Sequence, residues 1–374
     1  MRFNISSTTL CSRLQTLSRV ISSKNSIQIL DCILFELNDG QLKLTASDGE
    51  VTLTTNLEVA ESNGNGQFAL QATQIINGLK EISDQPIAIT IDENTYAVDI
   101  KYQNGGSKFI GQNGIEYPTP QKMNDDMQSI TINPDSLLRG LSSTIFATAE
   151  DELRPVMNGV FFDIATDSIT FVASDGHKLV RNRNLSVTTS NPTSFILPKK
   201  PAKILKDIIT KDAEEAIIKF DDSYSEINLG NYSLCCRLIE GRYPNYNSVI
   251  PYDNPCEINV DRQTLIGALR RVLVFGSTST SLIKLHIEPN TLIVSAQDID
   301  FSKSATESIM CDYDGAPMSI GFKGTFLIDI LNTINSQEVI LKLADPSRAG
   351  VILPYEQEEN EDLLMLLMPM MLND

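Results

Sequence analysis

The sequence predicts an α+β fold built as three repeated domains, each with two helices packed on antiparallel sheets. Three observations predict it. A helix pattern occurs at 5–21 (ISSTTLCSRLQTLSRVI), 132–148 (INPDSLLRGLSSTIFAT) and 260–275 (VDRQTLIGALRRVLVF), each pairing a Ser, Thr or Asp start signal with an apolar stripe at helical spacing. The same sequel follows each time: a strand pair opening at Cys32, Gly159 or Ser281, a second helix pattern, then a second strand pair. Finally, Ala46-Ser47-Asp48-Gly49 recurs as Ala173-Ser174-Asp175-Gly176, 127 positions on, and more faintly as Ala296-Gln297-Asp298, another 123 on. A repeat this long is a whole domain rather than a solenoid unit, so the 374 residues divide into 1–128, 129–255 and 256–374.

The elements follow in order. Helices are expected at 8–21, 71–82, 135–147, 199–211, 261–275 and 323–334. In the first, Leu10, Leu14, Leu17 and Ile21 form the apolar stripe and Arg13 lies off it. Leu265, Leu269 and Val272 repeat that stripe in the third copy, leaving Arg270 and Arg271 toward solvent. Asp135 and Asp261 stand at helix starts, where a carboxylate caps free N–H groups. Segments such as Leu42-Lys43-Leu44-Thr45 and Ile169-Thr170-Phe171-Val172 read as strands with one buried face. The helices should cover that face, all on one side of a continuous sheet layer.

Composition narrows the function classes. The apolar fraction of 41% is ordinary for a globular protein, and the most apolar run, 363–372, is about half the roughly 20 residues a membrane helix needs. The first residues already read as strand and helix without a signal-peptide core, so a cytoplasmic location is expected. Six cysteines without CxxC spacing read as reduced, mostly buried thiols. With only His177 and His286, a histidine-rich metal site is excluded, and no motif calls for a cofactor. The net charge of −18 argues at first against nucleic acid, but its distribution argues for it. The six expected helices hold 13 basic and 5 acidic residues, and the rest of the chain holds 17 and 43. Basic helices inside an acidic protein suit weak, sequence-blind attraction to phosphates.

Three segments carry a resemblance: Ser-Asp-Gly-His-Lys-Leu at 174–179, Glu-Gly-Arg-Tyr-Pro-Asn-Tyr at 240–246 and Met-Pro-Met at 368–370. With the threefold repeat, they make the whole chain resemble the bacterial DNA polymerase III beta subunits, the replicative sliding clamps. The resemblance implies a non-enzymatic, head-to-tail homodimeric ring without cofactor or metal, whose helices line a hole around double-stranded DNA. It also implies a pocket that tethers the DNA polymerase III alpha subunit, the clamp loader and other clamp-binding-motif proteins by a short peptide. Carried over by position, the pocket falls on Met157, Ser174, Gly176, His177, Leu179, Pro244, Val249, Thr280, Phe326, Leu366, Leu367, Met368, Pro369 and Met370. The expected DNA-facing bases are Arg13, Lys24, Arg139, Lys199, Lys200, Lys203, Arg270 and Arg271. At the ring joint, Leu79, Ile82 and Phe109 should meet Val274 and Phe275 of the other copy, with Lys108 near Asp298 and Asp300. Ser248 and Met371 stand where members of the family often carry arginine, Thr280 replaces a larger side chain, and 372–374 extend past the usual end.

Two other readings compete. The Ser174-Asp175-Gly176-His177 run contains the residue types of a hydrolytic triad, but neighbours on one strand and turn do not make the converging hydrogen-bond chain that a triad needs. The first repeat keeps Asp48-Gly49 and puts Glu50 where His177 stands, as expected if Asp-Gly serves the turn. A hydrolase with paired carboxylates has no nucleotide loop or metal motif behind it. A peptide-binding scaffold that never meets DNA leaves the basic helices unexplained.

Overall fold

Among the described residues, six helices form where the apolar periodicity places them: α1 (Ser7–Leu17), α2 (Ala72–Lys80), α3 (Pro134–Thr144), α4 (Lys199–Ile208), α5 (Arg262–Leu273) and α6 (Gly324–Thr333). The structure, a computed structural model, describes every residue except 23, 24, 26, 120–122, 125, 188, 190, 210–212, 373 and 374. Start signals act as local chemistry requires. The Ser6 hydroxyl accepts from the Thr9 N–H, and the Asp261 carboxylate accepts from the Thr264 N–H at 2.7 Å. Asp135 does not cap α3. The Asn133 amide oxygen does, accepting from the Asp135 N–H at 2.9 Å, and Asp135 sits in the first turn where the helix dipole favours it.

The chain forms two compact units, Met1–Leu137 with Lys203–Leu238, and Leu138–Ala202 with Ile239–Asp374. In the first unit a five-stranded sheet runs Ala60–Asn63, Arg2–Ser6, Pro86–Ile91, Ala97–Tyr102, Gly105–Ile110. Its nine-stranded sheet joins two repeats, because Val51–Glu58 pairs antiparallel with Tyr232–Arg237. The second unit has an eight-stranded sheet, joined across repeats where Lys178–Asn184 pairs with Glu361–Leu367, and a four-stranded sheet with Lys303–Met310 at one edge. Among the described residues the strands therefore form four separate sheets rather than the continuous layer expected. The second repeat contributes strands to both units, because its two strand pairs each extend a neighbouring repeat's sheet.

The predicted stripes are core. Leu10, Leu14 and Leu17 of α1 and Leu265 and Leu269 of α5 are fully buried. Ile21 lies beyond the end of α1 and is only half-buried. All six cysteines are free; burial pushes the Cys32 and Cys235 thiols up to about 11 and Cys236 further still.

Helix α3 packs against its sheet through Gly140, where an added Cβ would fall far inside contact distance of the Phe171 ring. Phe171 is itself wedged edge-on against Phe162, with ring centroids 4.9 Å apart. Gly140→Ala should therefore destabilise the second unit by about 1–3 kcal/mol, the usual cost of overpacking, read from the denaturant midpoint. An unchanged midpoint would mean that Phe171 yields freely.

Candidate functional site

The 174–179 segment is a turn built by its own side chains. Asp175 Oδ1 accepts from the N–H groups of His177 and Lys178, both at 2.9 Å, and Gly176 takes the left-handed conformation at φ +89° that closes the turn. The Ser174 hydroxyl donates to the Lys178 carbonyl at 2.9 Å and accepts from the Gly176 N–H. Ser47, Asp48 and Gly49 reproduce this pattern, with Gly49 at φ +94°, so the recurring Ser-Asp-Gly is turn chemistry in both copies. Ser174 is thus engaged with backbone rather than with His177, and no hydrolytic relay forms. Burial raises the Asp175 pKa, but the Lys178 ammonium and the two N–H bonds outweigh it and hold the carboxyl below its ordinary range.

The tail Met368–Met370 is tied beside this turn. The Met368 N–H donates to the His177 carbonyl at 2.8 Å, and the Met370 N–H donates to the Gly321 carbonyl at 2.8 Å. Gly321 permits that approach, since a Cβ there would sit 2.6 Å from the Met370 oxygen. Two residues further on, Lys323 leads into α6, whose Phe326 ring has the Lys178 ammonium at 3.9 Å and the Lys323 ammonium at 4.3 Å from its centroid. The His177 ring lies 6.4 Å from the same ring. Thr280 is brought alongside because Ser281 accepts from the Gly324 N–H at the start of α6.

The other face of the same sheet end is apolar. Leu179 and Leu366, partners across the strand pair, pack with Val172, Val351, Tyr243, Tyr246 and Ile250. Tyr243 stacks on Phe161 at 4.6 Å, and the Tyr246 hydroxyl donates to Asp163 at 2.7 Å; burial, then that carboxylate, push its pKa up to about 12. Pro244 and Val249 are the exposed members of this loop, Val249 at 56%. Of the fourteen pocket residues expected, Gly176, His177, Pro244, Val249, Thr280 and Met368 are exposed, and Phe326, Pro369 and Met370 are half-buried. Met157, Ser174, Leu179 and Leu366 are buried walls. Leu367 needs correcting: strand alternation turns it away from Leu366 into the core with Met365, so its side chain is closed to a ligand. Nothing in the sequence singles out Lys323 or Gly321, while period-two alternation alone places Lys178 opposite Leu179.

The expected DNA-facing bases divide by what they touch. Lys203 and Arg270 are exposed and make no ion pair among the described residues. Arg13 stacks its guanidinium over Tyr232 at 4.9 Å, above a groove of about 520 Å³ that Thr8, Thr9, Ser12 and Thr16 line with hydroxyls. Lys200 is half-buried. Lys199 is paired with Glu150 at 2.7 Å, and Arg271 holds Glu307 with two nitrogens. Arg139 is committed inside the second unit to Glu361, whose side chain is only 4% exposed, so it neutralises a buried carboxylate instead of serving as a loose cation. Lys24 lies outside the described residues.

Gly105–Ile110 forms one edge of the five-stranded sheet of the first unit, and Lys303–Met310 one edge of the four-stranded sheet of the second. Phe109 is half-buried over Gly78 of α2, and the neighbouring Ile110 is 83% exposed. Ile82 is half-buried and Val274 and Phe275 are exposed. Leu79 is corrected: it points into the core at 2% exposure, one turn of α2 below Ile76, and offers nothing to a joint.

Known proteins match over the full length. Residues 1–119, 131–245 and 247–371 match the N-terminal, central and C-terminal domain models of the DNA polymerase III beta subunit. The Beta sliding clamp of Haemophilus influenzae is 27% identical over 376 residues, covering 100% of both chains, and that of Synechococcus elongatus is 27% identical, covering 91% of this chain and 92% of that one. A Pseudomonas aeruginosa sliding clamp bound to griselimycin superimposes with TM-score 0.93 at 23% identity, covering 100% of both chains. A Bartonella birtlesii clamp, also bound to griselimycin, gives 0.92 at 24%, again over 100% of both.

Because the Asp175 carboxyl is held below its ordinary range, it stabilises the fold above the unfolded value of about 3.9, and that contribution is lost as pH falls through the depressed folded value. Asp175→Asn should therefore be destabilising at pH 7, and its deficit against the parent should close as pH drops below about 4, measured by denaturant titration. A deficit that does not vary with pH would locate the loss in shape rather than charge.

Proposed function

The chain belongs to the DNA polymerase III beta subunit family, and on that premise we propose that it is a DNA sliding clamp that encircles duplex DNA and tethers a polymerase to it. Such a clamp catalyses nothing. It acts by topology and by holding partners, within the cytoplasm where the chromosome is replicated.

Charge segregation is the observation that carries the DNA part. The six helices hold ten basic residues against three acids, Asp135, Asp207 and Asp329, in a chain of net charge −18. A sliding protein needs phosphate attraction without base readout, because base-edge hydrogen bonds would fix its position. Lys203 and Arg270 would supply the charge, while the hydroxyls of α1 around Arg13 would give neutral, sequence-blind contacts to phosphate oxygens. Ion pairing of Lys199 and Arg271 keeps that attraction weak, which suits movement along the duplex.

Ring closure is proposed through the two edge strands, Gly105–Ile110 of one copy against Lys303–Met310 of the other, flanked by Phe109 and Ile82 against Val274 and Phe275. Unlike ends that match can close a head-to-tail dimer. The protein should run as a dimer in light scattering, and once loaded should stay on nicked circular DNA and leave when the circle is cut. Phe109→Asp with Phe275→Asp should give monomers that are not retained, because each buries a charge in an apolar joint. A dimeric double variant would place the joint elsewhere.

The partner slot is proposed where the 174–179 turn, the Met368–Met370 tail and the start of α6 meet, next to the Leu179–Leu366 cluster. Flexible, polarizable methionines beside an apolar slot suit a site that receives several partners, among them the polymerase alpha subunit and the clamp loader. Griselimycin, bound by two related clamps, should bind here, and truncation after Leu367 should weaken it by about 1 kcal/mol or more. Equal affinity of full-length and truncated protein in calorimetry would move the slot.

A further inference from the structure

Helix α1 carries no acid, and among the described residues lining the groove beneath Arg13 the one carboxylate is that of Asp207. A bare carboxylate there would repel a phosphate or draw Arg13 off the Tyr232 ring, and either would cancel the charge that the groove offers. It is not bare. Arg19, two residues past the end of α1, pairs its guanidinium with Asp207 Oδ2, and both side chains are about half exposed, at 48% and 47%. An ion pair so exposed contributes little to stability, so its effect on the groove is chiefly the charge it removes. Arg19 does not itself line the groove. Arg13 does, steadied on the buried Tyr232 and without an ion pair among the described residues. Other charges lie nearby in the same unit. Asp84 accepts from the Thr8 hydroxyl at 2.7 Å and the Ser6 hydroxyl at 3.0 Å, and Lys203 and Lys206 are exposed on α4.

We propose that Arg19 is a positioning residue for DNA contact: by neutralising Asp207 it keeps Arg13 available to one phosphate of the duplex, without touching DNA itself. The inference rests on the reading of these helices as DNA-facing. The exposed Thr9 and Ser12 hydroxyls would donate to the same phosphate from the α1 side of the groove. The four partners then act as a set. Tyr232 orients Arg13, and Arg19 occupies the carboxylate that would otherwise compete for it.

The test is a salt series of anisotropy titrations, full-length protein against a labelled duplex, with thermal melts and light scattering to show each variant folded and dimeric. Arg19→Gln should weaken binding about two- to fivefold at low salt and flatten the slope of log affinity against log salt by about one, the loss of one phosphate contact. Combining Arg19→Gln with Asp207→Asn should return both values to the parent's, because no bare carboxylate is left. Arg13→Gln should flatten the slope equally, and adding Arg19→Gln to it should flatten it no further. Arg348→Gln breaks an exposed pair with Asp253 in the second unit and removes the same charge from the protein, so it should leave both values unchanged. A double variant as weak as Arg19→Gln alone makes Arg19 a DNA contact in its own right and overturns the proposal. An equal loss in Arg348→Gln, or a further loss from Arg19→Gln in the Arg13→Gln protein, overturns it too. Arg19→Gln that binds like the parent, while Lys203→Glu weakens binding, overturns it and leaves the DNA reading standing. If the folded, dimeric parent shows no salt-dependent binding to the duplex, the DNA reading itself fails, and this inference with it.

Discussion

The antiparallel pairing of Lys178–Asn184 with Glu361–Leu367 is the interaction on which the second unit depends. Seven consecutive residue pairs join strands that belong to different repeats. Each backbone hydrogen bond contributes a net of only about 1 kcal/mol, but the ladder also buries Leu364, Met365, Leu366 and Leu367, at roughly 1.5–3 kcal/mol each. Its two ends do different work. At one, Glu361 is held by Arg139 and by Asn182, which also donates to Ser143 of α3, so the helix is tied to the seam. At the other, the strand runs out into Met368 beside His177, so the tail is delivered to the 174–179 turn.

That arrangement would let the proposed slot be adaptable without being loose. Its framework is rigid: the turn is closed by Asp175 and Gly176, the tail is pinned by two backbone hydrogen bonds, and Tyr243 is stacked on Phe161. Its lining is soft, with methionines and an exposed valine. The same division holds for the bases. Arg139, Lys199 and Arg271 have carboxylate partners and serve the fold or damp the field, whereas Lys203 and Arg270 remain open to solvent. On the proposed reading, net attraction for a polyanion would be small for the number of basic residues present, a useful property in a protein that holds DNA without stopping on it.

The sequence by itself determined what short windows encode. Helix positions, the Ser-Asp-Gly turn and the threefold repeat all follow from periodicity, capping and glycine chemistry within a few residues, and Leu10, Leu14, Leu265 and Leu269 are buried as their spacing requires. Turn chemistry was also legible at Ser174, because a repeat with Glu50 in place of His177 cannot be preserving a triad. Tertiary structure alone decided how strands from different repeats pair, making four sheets instead of one, and which cations are spent. Arg139 finds Glu361 across 222 positions, and Arg181 finds Asp362 across 181, distances over which no local pattern specifies a partner. Leu79 and Leu367 were misplaced for a related reason: whether an apolar residue faces core or partner depends on which surface covers it, and that surface comes from elsewhere in the chain.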